Sequence, residues 1–184
     1  MKKIIMCCLV SVMILYQNAC MRIIPTSELK KYNTIETNVF PQVSGLNLMG
    51  ETINLPESLV ADKTVLIVAF ERWQQSLVDP WYAAISTLES PTIAYYEVPI
   101  ISKLNPLVRW WIYEGMRKGI VDEQMRRKVL TLHLDKDEFK KYLKIEDESS
   151  IYILICDRDG QIINRWQGAY NEVIWQDVKD ALTQ

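Results

Sequence analysis

One polar stretch of the sequence has the residue types of a ligand- or peptide-binding loop. It follows the apolar run Thr64–Phe70 and consists of Arg72, Trp73, Gln74, Gln75 and Ser76. A guanidinium group and amide side chains beside the start of a helix bind anions such as carboxylates, because the first backbone N–H groups there are unpaired. We therefore predict a binding site at these residues. A loop that only exposes polar side chains to water is the alternative interpretation.

A second candidate surface lies in the segment 104–129, which is more basic than the rest of the chain. The spacing of its apolar residues predicts a helix, opened by Asn105-Pro106, whose Trp111 faces the core. The opposite face of that helix would then consist of Arg109, Tyr113 and Arg117, with Trp110 at its margin. A basic face with aromatic residues suits anionic lipid headgroups or an acidic protein partner. A solvated helix surface is the alternative.

Two further residues are capable of nucleophilic or metal chemistry. Cys156 ends the apolar run Ser150–Cys156, and His133 lies between two leucines. A thiol buried in such a run has a raised pKa and poor access, so we expect Cys156 to be inert. His133 has no cysteine or histidine partner at metal-ligand spacing. We predict no catalytic residue, no metal site and no cofactor, and keep atypical redox chemistry through Cys156 as the alternative function.

The N-terminus has the pattern of an export signal. Met1–Lys3 is basic, and Ile4–Tyr16 carries no charge but is shorter than the about 20 apolar residues of a transmembrane helix. Ala19-Cys20 resembles the end of a bacterial lipobox, although Gln17 stands where leucine is common. The resemblance implies that Cys20 is lipidated, whereas ordinary cleavage after Ala19 is the alternative. The chain then divides into a signal peptide (residues 1–19), a tether (20–39) and a folded domain (40–184).

Composition limits the class of protein. Of the 184 residues, 49% are hydrophobic and 24% charged, which is typical of a globular chain and not of a disordered one. The net charge of −2 argues against nucleic acid as a partner. We predict a bacterial cell-envelope protein, held to the membrane through Cys20, with a protein partner.

The predicted elements alternate between strands and helices. The nearly continuous apolar run Thr64–Phe70 predicts a strand buried on both faces, and Asp79-Pro80 predicts the start of a helix that ends near Leu88. With the next strand, Thr92–Ile101, they form a βαβ unit. Further predicted elements are a hairpin within 43–55, helices at 106–119, 121–128, 135–143 and 171–182, and strands at 131–134, 150–156 and 161–166.

This order of elements resembles that of the thioredoxin-like superfamily, in particular its peroxiredoxin and cytochrome-maturation members. The stretch from Phe40-Pro41 to Leu55, which includes Gly50–Leu55, resembles their opening hairpin. Ile151–Ile163, with Asp157-Arg158-Asp159-Gly160, resembles their closing hairpin. The resemblance covers Phe40–Leu182. It implies an α/β, three-layer fold with a central mixed sheet and a helical insert at about 104–129.

The same resemblance exposes a departure. Redox-active members place a cysteine just after the strand that ends here at Phe70, often as CxxC, whereas Glu71–Asp79 contains none. Ser149-Ser150 also stands where those proteins have a cis-proline. A weaker resemblance to the assembly factors of mitochondrial ATP synthase offers a precedent for a fold of this kind without redox chemistry. We therefore predict a non-redox, thioredoxin-like lipoprotein that acts as a binding or assembly module.

Overall fold

The computed structural model describes residues 38–88 and 90–183. The predicted signal peptide, Cys20 and almost all of the predicted tether lie outside these residues. The strands are β1 (Val43–Asn47), β2 (Thr52–Leu55), β3 (Lys63–Ala69), β4 (Ile93–Ser102), β5 (Leu130–Leu134), β6 (Tyr152–Cys156) and β7 (Ile162–Gln167). The helices are α1 (Gln75–Ser86), α2 (Pro106–Gly119), α3 (Glu123–Lys128), α4 (Lys136–Leu143) and α5 (Glu172–Thr183), and a 3₁₀ turn, Arg72–Gln74, precedes α1.

The strands form one mixed sheet in the order β2-β1-β5-β4-β3-β6-β7. Strands β3, β4 and β5 are parallel neighbours, as expected for a βαβ unit followed by a helical crossover. The two hairpins, β1–β2 and β6–β7, are antiparallel and lie at opposite ends of the sheet. The predicted α/β fold with a central mixed sheet is confirmed.

Helices cover both faces of this sheet. On one face, α1 and α5 pack through Trp81, Ile85 and Val178 onto the odd-numbered residues of β3 and β6. On the other face, Phe139 of α4 contacts Phe40 with ring centroids 6.0 Å apart. Because both faces are covered, the central strands are apolar at nearly every position, as the run at β3 predicts.

The start of α1 differs from the prediction. The helix begins at Gln75 and contains Pro80, so Asp79 lies inside it and is not its N-cap. The 3₁₀ turn leads directly into the helix. Proline lacks an N–H group, so Pro80 cannot donate to the carbonyl oxygen of Ser76, but the remaining turns of α1 continue to Ser86.

The orientation of α2 also differs from the prediction. The helix begins where Asn105-Pro106 predicts, with the Asn105 side chain accepting from the backbone N–H of Val108. Trp111 does not face the core: its side chain is 71% exposed, whereas Arg109 and Tyr113 are buried. Tyr113 packs against Leu46, Leu48 and Val129, and its hydroxyl donates to the carbonyl oxygen of Asn47. This packing rotates the predicted outer face of the helix inward.

Candidate functional site

The predicted binding loop lies at the edge of the sheet where the three parallel strands end. The 3₁₀ turn Arg72–Gln74 follows β3, Lys103 follows β4, and Lys136 opens the helix that follows β5. The carboxyl ends of parallel strands are the usual place for a ligand in an open α/β sheet, because the rigid strands fix the positions of the loops that follow them.

Gln74 is the buried centre of this loop. Its Oε1 accepts from the backbone N–H groups of Phe70 (2.7 Å) and Glu71 (3.1 Å), and its Nε2 donates to the carbonyl oxygen of Glu148 (2.8 Å). The side chain is completely buried. Contrary to the prediction, Gln74 is therefore not placed to contact a ligand. It fixes the backbone between β3 and α1 and joins it to the segment before β6.

Lys136 fixes the same backbone from the other side. Its Nζ donates to the carbonyl oxygen of Phe70 (2.8 Å) and to Oε1 of Glu71 (2.9 Å). A charged donor makes stronger hydrogen bonds than a neutral one, and here one ammonium group serves both a main-chain and a side-chain oxygen. The loop thus starts from a backbone held by two side chains from distant parts of the sequence.

The other four predicted loop residues are exposed. They are Arg72, Trp73, Gln75 and Ser76. The indole of Trp73 is 57% exposed, which is high for the largest apolar side chain. Ser76 Oγ donates to the carbonyl oxygen of Trp73 (3.1 Å) and closes the turn. The structure therefore brings an exposed cation, an indole and two hydrogen-bonding side chains together on one fixed turn.

Gln75 also connects this surface to a buried acid that the sequence analysis did not single out. Its Nε2 donates to Asp79 (2.8 Å) and lies 3.4 Å from an oxygen of Glu97, on β4. Glu97 is 3% exposed. Burial raises the pKa of its carboxyl group to about 7; the hydrogen bond from Gln75 opposes the rise and the charge of Asp79 adds to it. The signal in the sequence was a single acidic residue within an otherwise uncharged strand.

A polar seam continues from Glu97 between α1 and α3. Tyr82 of α1 meets Tyr95 of β4 with ring centroids 5.2 Å apart, and burial raises the pKa of the Tyr82 hydroxyl. The Nζ of Lys128, at the end of α3, lies 4.7 Å from the centroid of the Tyr95 ring. Burial lowers the pKa of Lys128. These contacts join α1, β4 and α3.

The second predicted surface is only partly exposed. Arg109 and Tyr113 are packed against the sheet, so the face predicted from them does not exist as a surface. Arg117 is exposed and pairs with Glu114 at 3.5 Å, and Trp110 is partly exposed. The residues that α2 does present to solvent are mainly apolar, and they include Trp111, for which the spacing predicts a place in the core.

His133 and Cys156 are both buried. Burial and the nearby charge of Arg109 lower the pKa of His133 to about 4, so the imidazole is neutral at neutral pH. Cys156 is a free thiol. In the sheet it lies opposite Thr64, at the beginning of β3, whereas the loop follows the end of that strand. Burial raises the pKa of Cys156 to about 12. Within residues 38–88 and 90–183, no group of three acidic, histidine or cysteine side chains is arranged to hold a metal ion.

Comparisons with known proteins support the fold. No known protein family matches this sequence, and no curated protein does. Among solved structures, the thioredoxin domain of a thiol-disulfide oxidoreductase from Bacteroides vulgatus superposes with a TM-score of 0.55 at 14% identity, covering 82% of this chain and 100% of that one. The chain has a thioredoxin-like fold. A thiol-disulfide oxidoreductase from Bacteroides fragilis matches this thioredoxin-like chain with a TM-score of 0.54 at 11% identity, covering 78% and 98%.

A thiol:disulfide interchange protein from Bacteroides sp. gives a TM-score of 0.53 at 14% identity, covering 88% of this chain and 92% of its own. At identities this low, the superpositions establish only the fold of the thioredoxin-like chain. Its chemistry has to be argued from its own residues. The resemblance to the ATP synthase assembly factors stays a prediction. No helix among the described residues is long and apolar enough to cross a membrane.

Proposed function

We propose that this chain is a binding or assembly module of the bacterial cell envelope, and that it contacts a protein partner without carrying out thiol redox chemistry. The contact surface is the loop with its four exposed residues Arg72, Trp73, Gln75 and Ser76. The observation that carries the proposal is the buried Gln74, whose side chain makes three hydrogen bonds to main-chain atoms. It lies within a stretch where redox-active members of the superfamily have a cysteine.

The position of the one thiol in the described residues favours this proposal over a redox function. Thiol–disulfide exchange needs an accessible thiolate. Cys156 has no exposed surface, and its raised pKa keeps it protonated at neutral pH. It is also remote from the loop, because the segment of β3 from Thr64 to Ala69 spans about 16 Å at the usual rise of a strand.

The build of the loop favours recognition of a partner. Tryptophan and arginine are the residue types that most often dominate binding energy at protein interfaces. Here Trp73 and Arg72 project from a backbone that Gln74 and Lys136 hold in place. A surface that is ordered before binding loses less conformational entropy when a partner docks. The guanidinium of Arg72, close to the start of α1, suits a partner that offers a carboxylate.

The proposed location rests on the N-terminal sequence. A basic start, an uncharged run and Ala19-Cys20 together form the pattern of an exported lipoprotein. In the proposed arrangement, a lipid on Cys20 holds the domain to a membrane, and the loop faces the envelope. Intact-mass measurement of the protein purified from its native membrane tests the lipidation by itself, since an acylated Cys20 changes the mass and an ordinary mature N-terminus does not.

Site-specific photo-crosslinking in cells that naturally produce the protein tests the proposed partner. A photoreactive phenylalanine derivative replaces Trp73, which is exposed and aromatic, so the change preserves the character of the site. The same residue at Val173, on α5, provides a control at a position that is 76% exposed. We expect one discrete protein adduct from position 73 that is absent from position 173. The same adducts at both positions, or none at position 73, would contradict the proposal.

A further inference from the structure

The outer face of α2 carries an unusual concentration of exposed apolar side chains. We define the tryptophan face as Leu107, Val108, Trp110 and Trp111 of the helix together with Leu104, which precedes it; all five are among the large apolar residues exposed in this structure. Leu107 is 62% exposed and lies one turn from Trp111. Soluble monomers rarely expose contiguous apolar side chains of this size without a functional reason.

The face exists because the opposite side of α2 is already occupied. Arg109 and Tyr113 lie against the sheet, and Met116 packs with Tyr113 over Leu46 and Val129. The helix therefore cannot rotate to bury its tryptophans without expelling these side chains. Both faces of the helix carry large side chains, and the rest of the domain covers only one of them.

Charge identifies the kind of surface that would cover the face. Lys103 stands before α2, and Arg117 and Lys118 form its last turn, so exposed cations flank the tryptophan face at both ends. The one acidic residue of the helix, Glu114, is paired with Arg117. A second copy of the chain packed in antiparallel fashion on this helix would bring Lys103 close to Lys118, and like charges disfavour that arrangement.

An anionic lipid surface fits both the exposed tryptophans and the cations that flank them. Indole rings settle at the boundary between headgroups and acyl chains, and lysine and arginine side chains reach the phosphates beside them. The length of the preceding chain agrees with this occupant. The described fold begins at Asn38, 18 residues after Cys20, and a chain of 18 residues reaches at most roughly 60 Å. With the proposed lipid on Cys20, α2 stays within reach of the bilayer.

We infer that the tryptophan face of α2 docks on the surface of an anionic bilayer, with Trp110 and Trp111 inserted at the interface and Lys103 and Lys118 on the headgroups. This docking goes beyond a lipid anchor, because it fixes which side of the domain faces the membrane. It leaves the exposed loop residues as a separate surface for a protein partner.

Tryptophan fluorescence with the full chain tests this inference. The probe is a vesicle of phosphatidylglycerol and phosphatidylcholine in equal amounts, with brominated acyl chains that quench only indoles inserted among the lipids. We expect the wild-type emission to be quenched, and the quenching to disappear when Trp110→Phe and Trp111→Phe are combined. Vesicles of brominated phosphatidylcholine alone should quench much less, since they lack the anionic headgroup.

A matched pair of variants separates docking from anchoring. Leu107→Glu keeps both tryptophans and introduces a charge into the face, and it should abolish the quenching. Val173→Glu makes the same kind of change at an exposed position on α5 and should leave it intact. Equal quenching in the wild type and Leu107→Glu, or no quenching in the wild type, would overturn the inference. An emission shift that depends on protein concentration in the absence of vesicles would also overturn it, by assigning the face to a second copy.

The outcome is independent of the proposed partner site. All six tryptophans contribute to the emission, so the part of the quenching assigned to α2 is the part lost when Trp110→Phe and Trp111→Phe are combined. The photo-crosslink reports on position 73. If Cys20 proves to be unmodified by mass, the quenching still decides whether α2 binds added vesicles, so failure of the anchor and failure of the docking are distinguishable.

Discussion

The side-chain amide of Gln74 donates to the backbone carbonyl oxygen of Glu148, 2.8 Å away and 74 residues further along the chain. This bond joins the start of α1 to the segment that leads into β6. The resemblance to the thioredoxin-like superfamily implies that these are the segments in which its redox-active members have the cysteine and the cis-proline. Here a neutral amide makes three hydrogen bonds to main-chain atoms at that junction. The junction is thus held by side-chain to main-chain hydrogen bonds between segments far apart in the sequence.

Gln74→Ala should destabilise the fold by roughly 1–3 kcal/mol. The substitution leaves the N–H group of Phe70 and the carbonyl oxygen of Glu148 without their partner in a region that water does not reach easily. Urea denaturation of the wild type and the variant measures the difference. Gln124→Ala, at an exposed position of α3, is the control and should stay within about 0.5 kcal/mol. Equal stabilities of the two variants would contradict the structural role of Gln74.

Gly45→Ala should weaken the attachment of the first hairpin to the sheet. A Cβ at this position would lie 2.5 Å from the carbonyl oxygen of Thr131 and 2.6 Å from Cδ2 of Leu132, so β1 and β5 would have to separate. We expect a loss of roughly 1–3 kcal/mol. Gly115→Ala is the opposite case, because it lies inside α2 with open space around it. That substitution should stabilise by about 0.5–1 kcal/mol in the same thermal or urea titration.

Glu97→Gln should stabilise the protein more at high pH than at low pH. The pKa of Glu97 in the fold, about 7, lies above its ordinary value of 4.5, so the folded state holds this proton more tightly than the unfolded state does. Ionisation therefore reduces wild-type stability progressively as the pH rises from about 4.5 to about 7, and the reduction persists above that range. The neutral amide removes this loss.

The gain in stability of Glu97→Gln over the wild type should increase by an amount on the order of 2 kcal/mol between pH 5 and pH 8. Both proteins contain His133, so the titration of that residue cancels in the comparison. Glu57→Gln, an exposed acid changed to an amide, should alter stability by no more than about 0.5 kcal/mol at either pH. A gain for Glu97→Gln that is constant or shrinks with pH would show that the buried carboxyl is ionised throughout.

Cys156 should resist alkylation in the folded protein. Relative to a thiol at its ordinary pKa of 9.0, a thiol of pKa about 12 has roughly a thousandfold less thiolate at pH 8, and Cys156 is also inaccessible. Treatment with iodoacetamide followed by peptide mass spectrometry should find Cys156 unmodified in the native state and fully modified in urea. A thiol introduced by Val173→Cys controls for reagent activity. Rapid native-state labelling of Cys156 would reopen the redox alternative.

Local patterns in the sequence predicted the sheet well. The apolar run at β3 has to be covered on both faces in any fold that contains it. The turn Asp157–Gly160 is held by one of its own side chains, because the Asp157 carboxylate accepts from the N–H groups of Asp159 and Gln161. Such features depend on residues only a few positions apart. The order of strands and helices that they predict was sufficient to indicate a thioredoxin-like fold.

The errors in the sequence analysis share one physical cause. Asp79-Pro80 is a good local signal for a helix start, but α1 begins earlier because Gln74 is held by Glu148. The orientation of α2 depends on Tyr113 reaching the carbonyl oxygen of Asn47, 66 residues away. Helical spacing cannot choose between two faces that both contain aromatic residues. Contacts between distant segments determine both the start of α1 and the orientation of α2. The burial of Glu97 also depends on such contacts and could not be predicted from the local sequence.

The central claim is that this thioredoxin-like chain binds a partner through its loop without a thiol. The most direct test is the yield of the photo-crosslinked adduct from position 73 in two variants, with protein levels matched by immunoblot. Cys156→Ser should leave the yield unchanged, because the thiol is buried and remote from the loop. Arg72→Glu should reduce it at least about tenfold, as expected for the loss of an interface arginine. An adduct that is lost in Cys156→Ser and retained in Arg72→Glu would contradict the claim.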